Sequence, residues 1–170
     1  MHSHSKFFHR QEERTLNNSK LSPDEELALI NKLTRTPLEK EQVYTFTVTL
    51  CDNEIDRDFE RFSTDSISQL EKLFMGRTGI SDHSMRSKDQ AARIFRTYTA
   101  TDAYKTTACG EKYTALKADA YMVRTDSNAD LIKEIEGGIK KEVSVGCSVA
   151  RKVCSICGEE VSFTPCEHRK

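Results

Sequence analysis

The sequence predicts an α+β fold: a small, mainly antiparallel β-sheet or barrel flanked by helices, with a C-terminal zinc knuckle. Three observations carry this. Segments of period two, rich in β-branched and aromatic residues, are interspersed with segments of helical period. The connections between the middle segments are too short for parallel crossovers. The length, 170 residues, suits one ordinary domain rather than two.

Each element has its own signal. Residues 1–20 are polar and aperiodic, so His2, His4 and His9 read as a solvated leader rather than a metal site. Ser22-Pro23-Asp24-Glu25 is a capping box with proline at the first helical position, and it opens a helix with Leu27, Ile30 and Leu33 on one face. Pro37 is expected to end that helix. Residues 43–50 form a strand, with Tyr44, Phe46, Val48 and Leu50 facing one way and Thr45, Thr47 and Thr49 the other. A charged loop, CDNEIDRDFERFS, leads to a helix over about 64–75 that carries Ile67, Leu70 and Phe74, with Gly76 and Gly79 at its exit. After the short segment 80–83, strands are expected over 91–99 and 112–124, paired across Gly110. Ser127 or Asn128 caps a helix bearing Leu131, Ile132, Ile135 and Ile139, with Gly137 and Gly138 near its end. The last strand, 141–149, alternates strictly, with Val143, Val145, Cys147 and Val149 on the core face and Ser144, Gly146 and Ser148 on the other. The chain thus divides into a leader (1–20), an α+β body (21–150) and a cysteine-rich extension (151–170).

Composition narrows the function. Lys+Arg 26 against Asp+Glu 27 leaves a net charge of -1, which gives no electrostatic reason to expect nucleic acid or an anionic membrane as partner. Hydrophobic content is 36% and Trp is absent, which fits one modest core. No apolar run approaches the roughly 18 residues of a membrane span. The N-terminal stretch lacks the apolar core of a secretory signal, so the expected location is the cytoplasm.

In that compartment clustered cysteines point to metal rather than disulfides. Cys51, Cys109 and Cys147 are scattered, but Cys154 and Cys157 form a Cys-x-x-Cys-Gly turn, followed after eight residues by Cys166-Glu-His168. A tight knuckle supplies two thiolates and the second pair closes a tetrahedron. The Cys₃His set suits one structural Zn²⁺ with no open position for catalysis. Eight residues between the pairs allow a small hairpin.

The serine strand is the other unusual element. Ser144, Gly146 and Ser148 are small, and small residues let a substrate or another side chain approach closely; a plain solvated face is the alternative. A serine nucleophile needs a base, and apart from the leader histidines and His168 the chain offers only His83, on a loop after a helix and a glycine turn.

In order and spacing, three segments resemble the prohead (capsid maturation) serine proteases of tailed bacteriophages, relatives of the herpesvirus assemblin fold: DRDFERFS, GRTGISDHSMRSKDQAARIF and NADLIKEIEGGIKKEVSVGCSV. The resemblance covers roughly residues 41–150 and implies an assemblin-like fold. By position it implies Ser144 as nucleophile and His83 as general base. An imidazole of ordinary pKa, near ~6.5, can take a serine proton at cytoplasmic pH. Ser148 is the rival nucleophile, about 13 Å further along the strand. For the oxyanion the candidates are backbone N–H groups near Gly146 and Cys147, Arg93, or Arg151. The family's third member is an acid or a second histidine. Here the candidates are Asp82, next to His83, and the better-placed Asp119, an acid inside an apolar strand; in some relatives it lies beyond the serine strand. Cys147 is expected on the core face, where a thiol is inert. The family also often shows CSICG and a later Cys-x-His after the serine strand.

The expected function is therefore that of a serine endopeptidase. It would be packaged in the assembling procapsid in the host cytoplasm and would cut scaffold or capsid-protein segments and itself. Its partners would be the major capsid protein, the scaffold protein and further copies of the chain, as a homo-oligomer, with no nucleic acid and no membrane. The end of the chain two residues past His168 points to a longer reading frame. The rival is a non-catalytic capsid- or scaffold-associated binding module with a structural zinc knuckle.

Overall fold

The computed structural model describes residues 20–168 and the backbone of a two-residue strand, β1 (His4–Ser5). The expectation for the side chains of His2, His4 and His9 lies outside the described residues. In chain order the other elements are α1 (Pro23–Asn31), β2 (Val43–Asp52), α2 (Thr64–Phe74), β3 (Thr78–Ile80), β4 (Gln90–Thr106), β5 (Lys112–Val123), α3 (Ala129–Glu136) and β6 (Ser144–Val145).

Local chemistry explains the helix starts. The Glu25 N–H donates to Ser22 Oγ at 3.3 Å and the Ser22 N–H to Glu25 Oε2 at 2.8 Å, which completes the capping box. Helix α1 stops at Asn31, before the expected Pro37, because the Asn31 amide takes over the turn. Its Nδ2 donates to the Leu38 carbonyl at 3.1 Å and its Oδ1 accepts from the Leu38 N–H at 2.8 Å. Ser63 caps α2. Asn128 precedes α3, but its side chain holds the end of β5 instead of the helix, donating to the Val123 carbonyl at 2.7 Å.

Strands β2, β5, β4 and β3, in that order, form one antiparallel sheet. Among the described residues it is open, not closed into a barrel. Strands β4 and β5 make a hairpin that turns at Gly110, whose φ is 79°.

Alternation gives the sheet two distinct faces. On one, Leu116, Ala118 and Ala120 of β5 pack with Leu50, Cys51 and Ile94 and with Ile67 and Leu70 of α2, joined by Phe46, Val48 and Phe74. On the other, Tyr121 and Phe95 pack against Ile30 of α1, with Leu29, Leu38 and Val43 around them. Alternation puts Ile94 on the α2 face and Phe95 on the α1 face, and a bulge in β4 then brings Arg96 opposite Asp119.

The segment 141–149 departs from expectation. Only Ser144–Val145 is strand, and it lies outside the four-stranded sheet. Val145 packs against the α2-side core. Cys147 and Val149 are exposed, not on the core face. The alternating pattern finds no neighbouring strand beyond Val145, so it stays irregular.

Candidate functional site

Val145 packs into the core, flanked by Ser144 within β6 and by Gly146 just past its end. Ser144 is half-buried and Gly146 is exposed, on either side of the Val145 that packs against the α2-side core. His83 comes to Gly146 from a separate loop. Its Nδ1 lies 3.7 Å from where a Cβ on Gly146 would sit, so the ring covers the glycine at ordinary contact distance. The structure therefore brings the predicted base to Gly146, two residues past the predicted nucleophile Ser144.

The His83 loop is strained. Asp82 and His83 both adopt left-handed backbone, with φ of 52° and 53°. This costs about 1–2 kcal/mol per non-glycine residue, although Asp and His tolerate it better than most. Hydrogen bonds on its C-terminal side hold the turn. The Ser84 N–H donates to the Ser81 carbonyl at 2.9 Å and Ser84 Oγ to Asp89 Oδ2 at 2.5 Å. Consecutive left-handed residues of this kind concentrate at functional sites, where the surrounding structure over-determines them.

The other predicted residues sit elsewhere. Ser148 is exposed and lies beyond the end of β6. Asp82 is exposed and close enough to Lys140 to help raise the pKa of that amine, after the larger effect of Glu134. Arg93 donates to the Gly76 carbonyl at 2.9 Å, and Arg151 pairs with Glu160 at 3.6 Å. Asp119 is buried on the α1 face of β5, across the sheet from β6. Among the described residues its carboxylate accepts from Thr47 Oγ1 at 2.7 Å and pairs with Arg96 at 3.5 Å. Thr47 and Arg96 are also its register partners on β2 and β4. The sheet thus separates the best-placed predicted acid from His83. Cys147, though exposed, has its thiol pushed above the ordinary range by partial desolvation.

The tail forms a second site. Cys154, Cys157, Cys166 and His168 bring one ligand atom each to within 4.8 Å of one another, so together they could hold a metal ion. Local backbone builds the first half. The Gly158 N–H donates to the Cys154 carbonyl and the Cys154 N–H to the Glu159 carbonyl, both at 2.9 Å, with Gly158 at φ 75°. Val153 and Glu160 bridge below this knuckle. The hairpin therefore surrounds the first cysteine pair instead of lying between the two pairs. The backbone N–H groups of Cys157 and then Ile156 point at the Cys154 sulfur and pull its pKa down to about 6, which favours the thiolate that metals bind. Cys157 is net raised. The Glu159 N–H pulls it down, but desolvation and the adjacent Cys154 and Cys166 sulfurs outweigh that.

One contact invisible in the sequence ties the tail to the body. Lys152 Nζ reaches both carboxylate oxygens of Glu60, at 2.9 and 3.0 Å, in the loop that follows β2. Comparison with protein-family models, curated proteins and solved structures returned no match. Among the described residues no helix is long and apolar enough to cross a membrane.

Proposed function

We propose that the chain is a serine endopeptidase of the prohead-maturation type, with Ser144 as nucleophile, His83 as general base and a structural zinc ion in the tail. The observation that carries this reading is the imidazole of His83 lying against Gly146, two residues past Ser144. It joins two segments about sixty residues apart that the family resemblance pairs, and it does so through a strained loop.

The chemistry follows. Ser144 Oγ attacks the scissile carbonyl as its proton passes to His83, and the resulting imidazolium then protonates the departing amine. Water repeats the sequence on the acyl-enzyme, giving a proton to His83, which passes it to the departing Ser144 Oγ as the carboxylate product is freed. The backbone N–H groups of Gly146 and Cys147 are the proposed oxyanion donors, since Arg93 and Arg151 are each held by another group. The active unit proposed is the serine–histidine pair, because Asp119 serves the other face of the sheet.

Zinc is proposed because three thiol sulfurs and an imidazole within 4.8 Å match a closed tetrahedral site, in which Zn–S near ~2.3 Å sets the sulfurs about 3.8 Å apart. The partners proposed are a capsid protein, an internal scaffold and other copies of the chain.

The test is co-expression with the neighbouring capsid and scaffold proteins. Ser144→Ala should abolish their processing and Ser148→Ala should leave it intact. Unchanged processing in Ser144→Ala would leave the binding-module reading in its place.

A further inference from the structure

Strand β6 is part of no larger sheet, yet it is paired. Its partner is β1, antiparallel, with His4 opposite Val145 and Ser5 opposite Ser144. Val145 is committed to the core, and the His83 ring lies against Gly146 just past the end of β6. What remains for a partner is the backbone edge of β6 beside Ser144, and the far N-terminus of the chain lies along it.

An extended peptide can add to such an edge through main-chain hydrogen bonds, largely independent of its side chains. A peptide that is to present a carbonyl to Ser144 has to run close to this edge. We propose that the edge of β6 is a docking edge for extended peptide, and that the chain's own N-terminal segment around His4–Ser5 is its resident occupant, in competition with peptides supplied in trans. The competition with substrate rests on the peptidase reading; the docking does not.

The ladder is two residues long, so the hold is weak and reversible. Tethering compensates, because a segment on the same chain is presented at roughly mM effective concentration. Dilute peptides would then compete poorly, whereas a densely packed protein substrate would displace the segment.

The experiment uses the full chain carrying Ser144→Ala, so that catalysis plays no part. A second protein adds His4→Pro and Ser5→Pro, which remove the N–H donors of the leader strand. The probe is a fluorescein-labelled peptide of sequence MHSHSKFFHR. It should bind the proline variant at least threefold more tightly than the unmodified leader. Hydrogen exchange at the Val145 amide should be faster in the proline variant than in the unmodified leader, and should slow again when the peptide is added. A smaller affinity gain, absence of binding to both proteins, or unchanged exchange would overturn the proposal. Processing assays on the Ser144 proteins are a separate arm. If the peptide docks as expected but Ser144→Ala still processes capsid protein, the peptidase reading fails and the docking edge stands.

Discussion

Gly146 is the residue on which the proposed site turns. With no side chain it lets the His83 ring settle at 3.7 Å from its virtual Cβ. An alanine there would just touch the ring, and a β-branched side chain would occupy its place. Gly146→Val should therefore displace His83 and remove processing, while the urea midpoint stays near that of the parent, since the residue is exposed. Processing at the parental rate would show that the histidine need not lie over this strand. The small-residue pattern and the isolated histidine were legible in the sequence. Their meeting was not, because it depends on two successive left-handed residues, Asp82 and His83, with no glycine to announce them. A second residue-scale effect concerns Tyr113, whose hydroxyl donates to the buried Asp52 at 3.1 Å. Desolvation, then the Asp52 charge, hold its pKa above the ordinary phenol range. The folded state thus favours the neutral phenol, so this contribution is complete below about pH 10 and is lost as pH rises beyond it. Tyr113→Phe should cost about 1 kcal/mol at pH 7 through the lost hydrogen bond. The gap between variant and parent should narrow above pH 10 in urea titrations.

At the scale of elements, the strands of the four-stranded sheet followed their patterns and the segment outside it did not. Strand β2 keeps Phe46, Val48 and Leu50 on the core side as its alternation foretold, because β5 supplies the ladder. Segment 141–149 has an equally regular pattern but, among the described residues, pairs only with the two-residue β1, so two residues are strand and Cys147 is exposed. Periodicity reports which face could be buried; pairing decides whether it is. The knuckle was readable because Cys-x-x-Cys-Gly closes its turn locally, through hydrogen bonds spanning only a few residues. The Lys152–Glu60 anchor was not, since the partners are far apart in the chain. Zinc should be found at one equivalent per chain, and Cys157→Ser should lower it well below half. The body should keep its melting temperature in that variant, because both core clusters lie upstream of the tail. A collapse of the whole melting transition would mean that the tail belongs to the cooperative core.

At the scale of the molecule, a four-stranded sheet separates two environments. One face, under α2, carries β6 and the His83 loop; the other, under α1, buries Asp119 between Thr47 and Arg96. In sequence an acid inside an apolar strand looks catalytic and structural alike, and only the sheet's sidedness separates the two. Asp119→Ala should lose about 2–3 kcal/mol by leaving Arg96 poorly paired, somewhat less than for a fully enclosed pair because the two side chains keep 19% and 10% exposure. Turnover per folded molecule should be unchanged. A stable but inactive Asp119→Ala protein would reverse that assignment. The tail knuckle bears on how the purified protein behaves in air. The N–H groups that prepare Cys154 as a ligand hold it near a pKa of about 6, and a sulfur that is mostly thiolate at neutral pH is also an efficient attacker of peroxide and of disulfides. Without a bound ion, Cys157 and Cys166 lie within 4.8 Å as ready resolving partners, and oxidation would convert the knuckle into a cystine loop that no longer accepts metal. Metal loading and air oxidation are therefore competing fates of the same three sulfurs, and the order in which a preparation meets chelator and oxygen decides which one it shows.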